Sequence, residues 1–187
     1  RMLAYSAIAH IGYALLGLSA GTATAYAMSL FYLLAYGLMA LTAFGLLVVV
    51  SKSGQVEAIN DLRGLNARSP WLALVMLLAM FSMAGIPPTV GFFAKLGILL
   101  GLIGADQLWM ATLAIIFAII GAYYYLNVIK VMYFEEPEPT LPRLMVAPDA
   151  YLALSINAIL LLVLGLFPSQ LMELAQTAFF TINHPVY

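Results

Sequence analysis

The sequence of 187 residues contains no cysteine and only two histidines, His10 and His184. Without cysteine, the chain forms no disulfide, no thiolate metal site and no Cys-ligated iron–sulfur cluster. The two histidines lie far apart in the sequence, which argues against a histidine-based metal or haem site built by this chain alone. Phosphate-loop, GxGxxG and nucleophile-elbow motifs are also missing. The sequence therefore predicts no cofactor and no metal on this chain.

Charge is scarce as well. Charged residues make up 8% of the chain, compared with about 25% in soluble proteins. The net charge is -1 and the basic residues form no block, so nucleic acid is not a predicted partner. Hydrophobic residues reach 65% and the mean hydropathy is +1.04. Such a chain cannot keep a water-facing surface hydrated, and its predicted surroundings are the lipid bilayer.

Five apolar runs are each long enough to cross a bilayer, which takes about 20 helical residues. They cover approximately residues 2–20, 25–50, 71–102, 108–134 and 151–167. The polar segments 51–70 and 135–150 and the turn 21–24 separate some of these runs, and residues 170–180 predict a short interfacial helix. Five runs in succession argue against buried core helices of a soluble protein. The prediction is one all-α domain, 1–187, a polytopic transmembrane bundle of about five helices.

The basic residues predict an orientation. With five spans, six of the seven basic residues fall on one side: Arg1, Lys52, Arg63, Arg68, Lys130 and Arg143. The positive-inside rule then places the start of this chain and both long loops in the cytoplasm, and the C-terminus outside.

Lys95 is the seventh basic residue, and it lies inside the third apolar run. A charged lysine at the centre of a span costs about 2.5–3.5 kcal/mol on insertion scales. Burial favours the uncharged amine, so a lysine in this position is suited to binding and releasing a proton. The structural alternatives are a lysine that extends to the outer interface and a fixed ion pair.

The same run contains two consecutive prolines, Pro87 and Pro88, between Gly85 and Gly91. The prolines remove two backbone donors and clash with the preceding turn. We therefore predict a discontinuous helix, a feature that transporters use at ion sites near the membrane midplane. A simple packing kink is the structural alternative.

Further polar residues within the spans could assist proton transfer. His10 is interpreted either as a proton relay or as a hydrogen-bonding residue between helices. Lys130 is interpreted mainly as an interfacial anchor and less as a proton carrier. Tyr123, Tyr124 and Tyr125 are interpreted as the cytoplasmic interface of the fourth span. Other hydroxyl side chains could extend a polar path through water: Tyr5, Ser6, Tyr13, Tyr32, Tyr36 and Thr42.

Three stretches resemble the antiporter-like membrane subunits of bacterial respiratory complex I (NADH:quinone oxidoreductase), most closely its N-subunit group. Residues 1–13 resemble the tenth helix of those subunits, residues 80–96 the broken twelfth helix, and residues 123–134 the end of the thirteenth. The resemblance covers nearly the whole chain. Leu96 differs from the L-subunit group, which typically has an acidic residue after the lysine.

The resemblance implies a C-terminal fragment of a longer subunit, containing part of the second of two inverted repeats. It implies that Lys95 occupies the position of a lysine that exchanges protons toward the outside. The second span lacks the buried lysine of sibling subunits, so its central relay is expected to differ, for example by using water. NADH, FMN, iron–sulfur clusters and quinone are expected on other subunits, and the other membrane-arm subunits are expected partners.

The predicted function is proton translocation in the bacterial inner membrane, as a subunit of an NADH:quinone oxidoreductase. One alternative is a subunit of a multisubunit sodium/proton antiporter or membrane-bound hydrogenase. A different alternative is a passive membrane scaffold, which needs neither a buried lysine nor a broken helix.

Overall fold

The computed structural model describes residues 1–51, 58–137 and 146–183, except for the side chains of residues 180–183. Within these ranges the chain is almost entirely helical and contains no strand, which confirms the predicted all-α fold. The helices are α1 (Met2–Ser19), α2 (Ala23–Ser51), α3 (Leu65–Arg68), α4 (Pro70–Ala84), α5 (Val90–Gly104), α6 (Leu108–Phe134), α7 (Pro148–Leu166) and α8 (Pro168–Asn183), and a 3₁₀ turn (Ile59–Leu62) precedes α3.

The described part of the chain has four helices long and apolar enough to cross a membrane, namely α1, α2, α6 and α7. Helices α4 and α5 have 15 residues each, and each is about 22 Å long at 1.5 Å per residue. Neither alone matches a hydrocarbon core of about 30 Å. They follow one another across the short linker 85–89, so the third apolar run is divided into two half-helices. This confirms the predicted discontinuous helix.

Several helix ends differ from the sequence-based boundaries. Helix α2 begins at Ala23, inside the predicted turn, because the Thr22 hydroxyl accepts a hydrogen bond from the Ala25 amide at 3.2 Å and caps the first turn. Helix α7 begins earlier than predicted, at Pro148. Pro168, the residue after the predicted fifth span, begins α8, which is longer than the predicted interfacial helix 170–180. Proline suits the first turn of a helix because no amide donor is needed there.

The predicted polar loop 51–70 is partly helical, since it contains the 3₁₀ turn and α3. This segment folds back on the end of α6. The Gly64 amide donates to the Val131 carbonyl at 3.2 Å, and Arg63 Nε lies 2.6 Å from Glu135 Oε2. These contacts join both long connections at one end of the bundle, hereafter the long-loop end.

The opposite end of the bundle is formed by the short connections α1–α2 and α5–α6, and is hereafter the short-turn end. Gln107 Nε2 donates to the Ser19 carbonyl there at 3.2 Å and joins the two turns. Arg63 and Arg68 lie at the long-loop end. Lys52, Arg143 and His184 lie outside the described residues.

Helix α2 is the centre of the bundle and packs against α1, α4, α5, α7 and α8. Helix α5 approaches it through Gly97 and Gly101, a small-xxx-small pair of the kind that brings membrane helices close together. A methyl group on Gly97 would lie 2.9 Å from the Met28 sulfur, and one on Gly101 would lie 3.1 Å from Ala25 Cβ. The backbones of α2 and α5 are therefore in near contact alongside the broken crossing.

The outward faces of α1, α6 and α7 are apolar. Ile8, Phe117, Ile119 and Leu152 are all more than 60% exposed. A surface of this kind suits hydrocarbon or the apolar face of another subunit, and it does not suit water.

Gly91 permits the close approach of α5 to α4, and a substitution tests this packing. A methyl group at Gly91 would overlap the Ser82 carbonyl oxygen and lie 2.7 Å from the carbonyl carbon. We expect Gly91→Ala to destabilise the subunit by about 1–3 kcal/mol through overpacking. The measurement is the thermal melting point and membrane yield of the assembled subunit. Gly104→Ala is the matched control on α5, because no atom lies within 4 Å of the added methyl. Equal melting points for the two variants would contradict this packing.

Candidate functional site

The break between α4 and α5 exposes the carbonyl end of a helix inside the bundle. The last four carbonyls of any helix lack intrahelical donors. At the end of α4, the Phe81 and Ser82 carbonyls accept from the Gly85 amide at 3.0 Å, and Phe81 also accepts from Ile86 at 2.9 Å. The Met83 and Ala84 carbonyls remain to be satisfied by a donor from outside this turn.

Lys95 is that donor. Its Nζ donates to the Met83 carbonyl at 2.8 Å and to the Ala84 carbonyl at 2.9 Å. A cation at the C-terminus of a helix is also stabilised by the helix dipole. The side chain lies against Gly85, whose φ of +84° and lack of a Cβ both suit glycine, since a methyl there would be 2.9 Å from Lys95 Cδ.

The lysine therefore points into the break and does not extend to the outer end of its helix. It lies in the second turn of α5, shortly after the linker 85–89. Among the described residues, no carboxylate forms an ion pair with it. Its contacts with the backbone carbonyls can therefore form with the amine or with the ammonium, since both forms have donors.

His10 lies at the midpoint of α1 and is buried. Its Nδ1 lies 2.7 Å from the Tyr32 hydroxyl, and its Nε2 lies 3.1 Å from the Tyr125 hydroxyl. The Tyr125 hydroxyl is also 2.5 Å from Ser6 Oγ, and Tyr36 stacks on the imidazole at 4.7 Å between ring centroids. A neutral imidazole donates from one nitrogen and accepts at the other, so His10 joins the two phenols in one hydrogen-bonded chain.

Tyr13 connects this cluster with Lys95. Its ring stacks on Tyr32 at 5.8 Å, and Lys95 Nζ lies 5.6 Å from the centre of the same ring. The Tyr13 hydroxyl donates to the Ala114 carbonyl and is therefore held by α6. This arrangement allows a cation–π interaction with Lys95 and fixes the Tyr13 ring between the two titratable groups.

A cavity of about 30 Å³ lies beside Tyr13. Both His10 and Lys95 line it, together with Ala9, Tyr13, Phe117, Ala118, Gly121 and Tyr125. A polar cavity needs about 10–15 Å³ to hold a water molecule. The space between the histidine cluster and the lysine is therefore large enough for water and has polar partners at both ends.

Some sequence-predicted residues lie elsewhere. Lys130 is exposed on the surface of α6, away from the cluster, and Tyr5 is 74% exposed on α1. Thr42 donates to the Leu38 carbonyl at 3.0 Å and accepts from Asn157 at 2.8 Å, so it joins α2 to α7. These contacts place the three side chains outside the polar path between His10 and Lys95.

The interpretation of Tyr125 as an interfacial residue was wrong. Tyr123 and Tyr124 are exposed, but Tyr125 is 5% exposed and contacts His10. Successive helical residues are rotated by about 100°, so Tyr125 points in a different direction from Tyr123 and Tyr124, toward Ser6 and His10 of α1. The inward direction was visible in the stripe of small residues that precedes Tyr125 at spacings of three and four: Ala111, Ala114, Ala118 and Gly121.

No metal centre emerges from these residues. Across the part of the chain that the structure describes, no three His, Cys, Asp or Glu side chains converge. The chemistry that the cluster supports is proton transfer through hydroxyl, imidazole and amine groups.

Comparison with known proteins assigns the family. A sequence profile described as NADH:quinone oxidoreductase/Mrp antiporter, transmembrane, matches residues 1–121. The chain belongs to this family. NADH-quinone oxidoreductase subunit N of Thioalkalivibrio sulfidiphilus is 51% identical over 179 residues, which cover 95% of this chain and 37% of that protein. The subunit N of Coxiella burnetii is 51% identical over 180 residues, covering 96% and 37%.

The chain thus spans little more than a third of these relatives, and it resembles a multi-pass antiporter-like membrane subunit over that part. Among solved structures, respiratory complex I from Thermus thermophilus with bound NADH matches with a TM-score of 0.79 and 29% identity, covering 95% of this chain and 38% of that one. The Mrp complex from Dietzia sp. DQ12-45-1b matches with a TM-score of 0.88 over 98% and 42%. Its identity is 21%, so this second match shows the fold alone.

Replacing Tyr125 tests the cluster. Tyr125→Phe keeps the ring but leaves Ser6 Oγ and His10 Nε2 without their shared partner. Since interhelical hydrogen bonds in membranes contribute on average about 0.6 kcal/mol each, we expect a loss of about 1 kcal/mol for the two bonds. The melting point of the purified assembly measures it. Tyr124→Phe is the matched control at the adjacent exposed position and should leave the melting point unchanged. A loss of equal size in both variants would contradict the inward role of Tyr125.

Proposed function

We propose that this chain is part of a proton-translocating membrane-arm subunit of NADH:quinone oxidoreductase, in which Lys95 binds and releases the transported proton. The main support is the placement of Lys95 Nζ on the Met83 and Ala84 carbonyls at the helix break. Helix ends created by broken spans are the sites where membrane transporters bind ions. A lysine within a span is costly unless it has a function or a partner.

The polar cluster supplies the entry side of this path. Ser6, Tyr125 and His10 extend from the long-loop half of the bundle toward its centre. Proton exchange along the cluster requires only that the hydroxyls and the imidazole rotate or exchange their donor roles. The cluster can therefore deliver a proton to the middle of the membrane without an ion crossing bare hydrocarbon.

Water in the cavity completes the connection to Lys95. The Tyr13 hydroxyl is occupied by the Ala114 carbonyl, so it does not serve as the relay itself. A water molecule between the His10 cluster and Lys95 would accept a proton from one side and donate one to the amine, which becomes an ammonium. Redox energy released elsewhere in the complex would change the hydration or electrostatics at the break, and the ammonium would release its proton toward the outside.

The relatives favour this function over the alternatives. Those at about half identity are named NADH-quinone oxidoreductase subunit N. The Mrp complex shares the fold at only 21% identity, so it gives less support to a sodium/proton antiporter. A passive scaffold would need no cation at the end of a half-helix.

The same reasoning extends to location and partners. The long-loop end holds Arg63 and Arg68, and we propose that it faces the cytoplasm of a bacterial cell, with the C-terminus outside the inner membrane. Helix α8 packs on α2, and the contact of Phe179 with Tyr26 near the first turn of α2 fits the outside position. The apolar outer faces would contact lipid and other membrane-arm subunits. NADH, FMN, iron–sulfur clusters and quinone would bind to other subunits.

Neutralising Lys95 tests the central role. In inverted membrane vesicles carrying the full-length subunit in the assembled complex, we expect Lys95→Ala to lower the number of protons taken up per NADH oxidised. Removal of a proton-transfer group slows the step by about 10²–10⁴-fold. Lys130→Ala is the matched control, because Lys130 is exposed and lies apart from the cluster. Unchanged proton uptake in Lys95→Ala would refute this function for Lys95.

Filling the cavity tests the water connection. Gly121 lines it, and a methyl there would have only Tyr125 Cε2 nearby, at 3.8 Å. We expect Gly121→Leu to displace the water and lower proton uptake per NADH, with His10 and Lys95 both present. Gly104→Leu adds the same side chain at a position where no atom lies within 4 Å of the new Cβ, and it should have no effect. Normal pumping by an assembled Gly121→Leu complex would argue that the proton takes another route.

A further inference from the structure

Gly165 of α7 lies directly against the break. Gly165 is buried in the last turn of α7. A methyl group on Gly165 would overlap the Pro88 carbonyl oxygen and would lie 2.5 Å from the Thr89 carbonyl carbon and 2.7 Å from its Cα. All three atoms belong to the backbone, so no side-chain rotation could relieve the overlap. The linker 85–89 therefore packs directly against the backbone of α7.

Hydrogen bonds within the linker and between the two half-helices also hold the linker in place. The Thr89 hydroxyl donates to the Ile86 carbonyl at 2.7 Å, and Thr89 is 1% exposed. The Gly91 amide donates to Ser82 Oγ at 3.1 Å, which joins the start of α5 to the end of α4. A displacement at Pro88 and Thr89 is therefore transmitted to both half-helices.

The Lys95 hydrogen bonds span this linker. Lys95 belongs to α5, whereas its two acceptor carbonyls, Met83 and Ala84, belong to α4. The two distances consequently depend on how the linker sets α5 relative to α4. A shift of about half an ångström would lengthen these bonds of 2.8–2.9 Å beyond the usual upper limit of about 3.2 Å.

We propose that Gly165 is a positioning residue for Lys95: its missing side chain lets α7 fix the linker and thereby the place of the amine at the end of α4. This inference rests on the proposed function of Lys95. It gives α7 a part in proton transfer although α7 contributes no titratable group to the cluster.

The test is a double-mutant cycle in the full-length subunit within the assembled complex. Gly165→Ala should lower the protons taken up per NADH oxidised, while Gly37→Ala, where no atom lies within 4 Å of the new methyl, should not. In a Lys95→Ala background, Gly165→Ala should cause no further loss. A purely structural effect of Gly165 would instead lower the ratio again in that background.

Each remaining outcome is decisive. If Gly165→Ala leaves the ratio unchanged, or adds its full loss to that of Lys95→Ala, the positioning role is wrong. If the Gly165→Ala subunit does not assemble, Thr89→Val replaces it, because it loosens the same linker by removing the bond to Ile86 and should show the same lack of additivity. If Lys95→Ala itself pumps normally, the proposed function fails and this inference fails with it. If only Lys95→Ala has an effect, the proposed function stands without this inference.

Discussion

The carbonyl end of α4 lies inside the bundle, and the need of its last two carbonyls for a donor is the constraint on which the site depends. Unsatisfied backbone groups are costly where no bulk water reaches, and the break leaves two carbonyls that only an incoming donor can satisfy. Lys95 supplies that donor. The backbone at Gly85 and the close packing at Gly91 follow from the same requirement, because the lysine and the first turn of α5 must fit against the end of α4.

The two titratable groups at the centre are joined but not in direct contact. His10 is held by two phenols, and Tyr13 stands between this cluster and Lys95 with its hydroxyl already used. A path that needs water at one position can be opened or closed by small changes in hydration. A direct hydrogen bond between the two groups would not offer that control.

The bundle and its break follow from local chemistry, so the sequence could predict them. Apolar runs give the crossings, and Pro87–Pro88 forbids a continuous helix. The contacts of the site depend on helix rotation and on elements far apart in the chain. Packing of α4, α6 and α7 in the bundle decides three of these contacts. They are the carbonyls that accept from Lys95, the inward direction of Tyr125 and the contact of Gly165 with the linker. Thr42 and Tyr5 show the opposite case. Their residue types suit a polar path, but they lie on helix faces that are not part of it.

The most direct measurement is a density map of the intact complex in lipid, at a resolution that defines water molecules around Lys95. The account predicts ordered water in the cavity, linking the His10 cluster to Lys95 Nζ, with Nζ still bonded to the Met83 and Ala84 carbonyls. A dry cavity, together with Nζ paired to a carboxylate from another part of the complex, would contradict it. Lys95 would then be a fixed structural cation, and the proton would have to cross elsewhere.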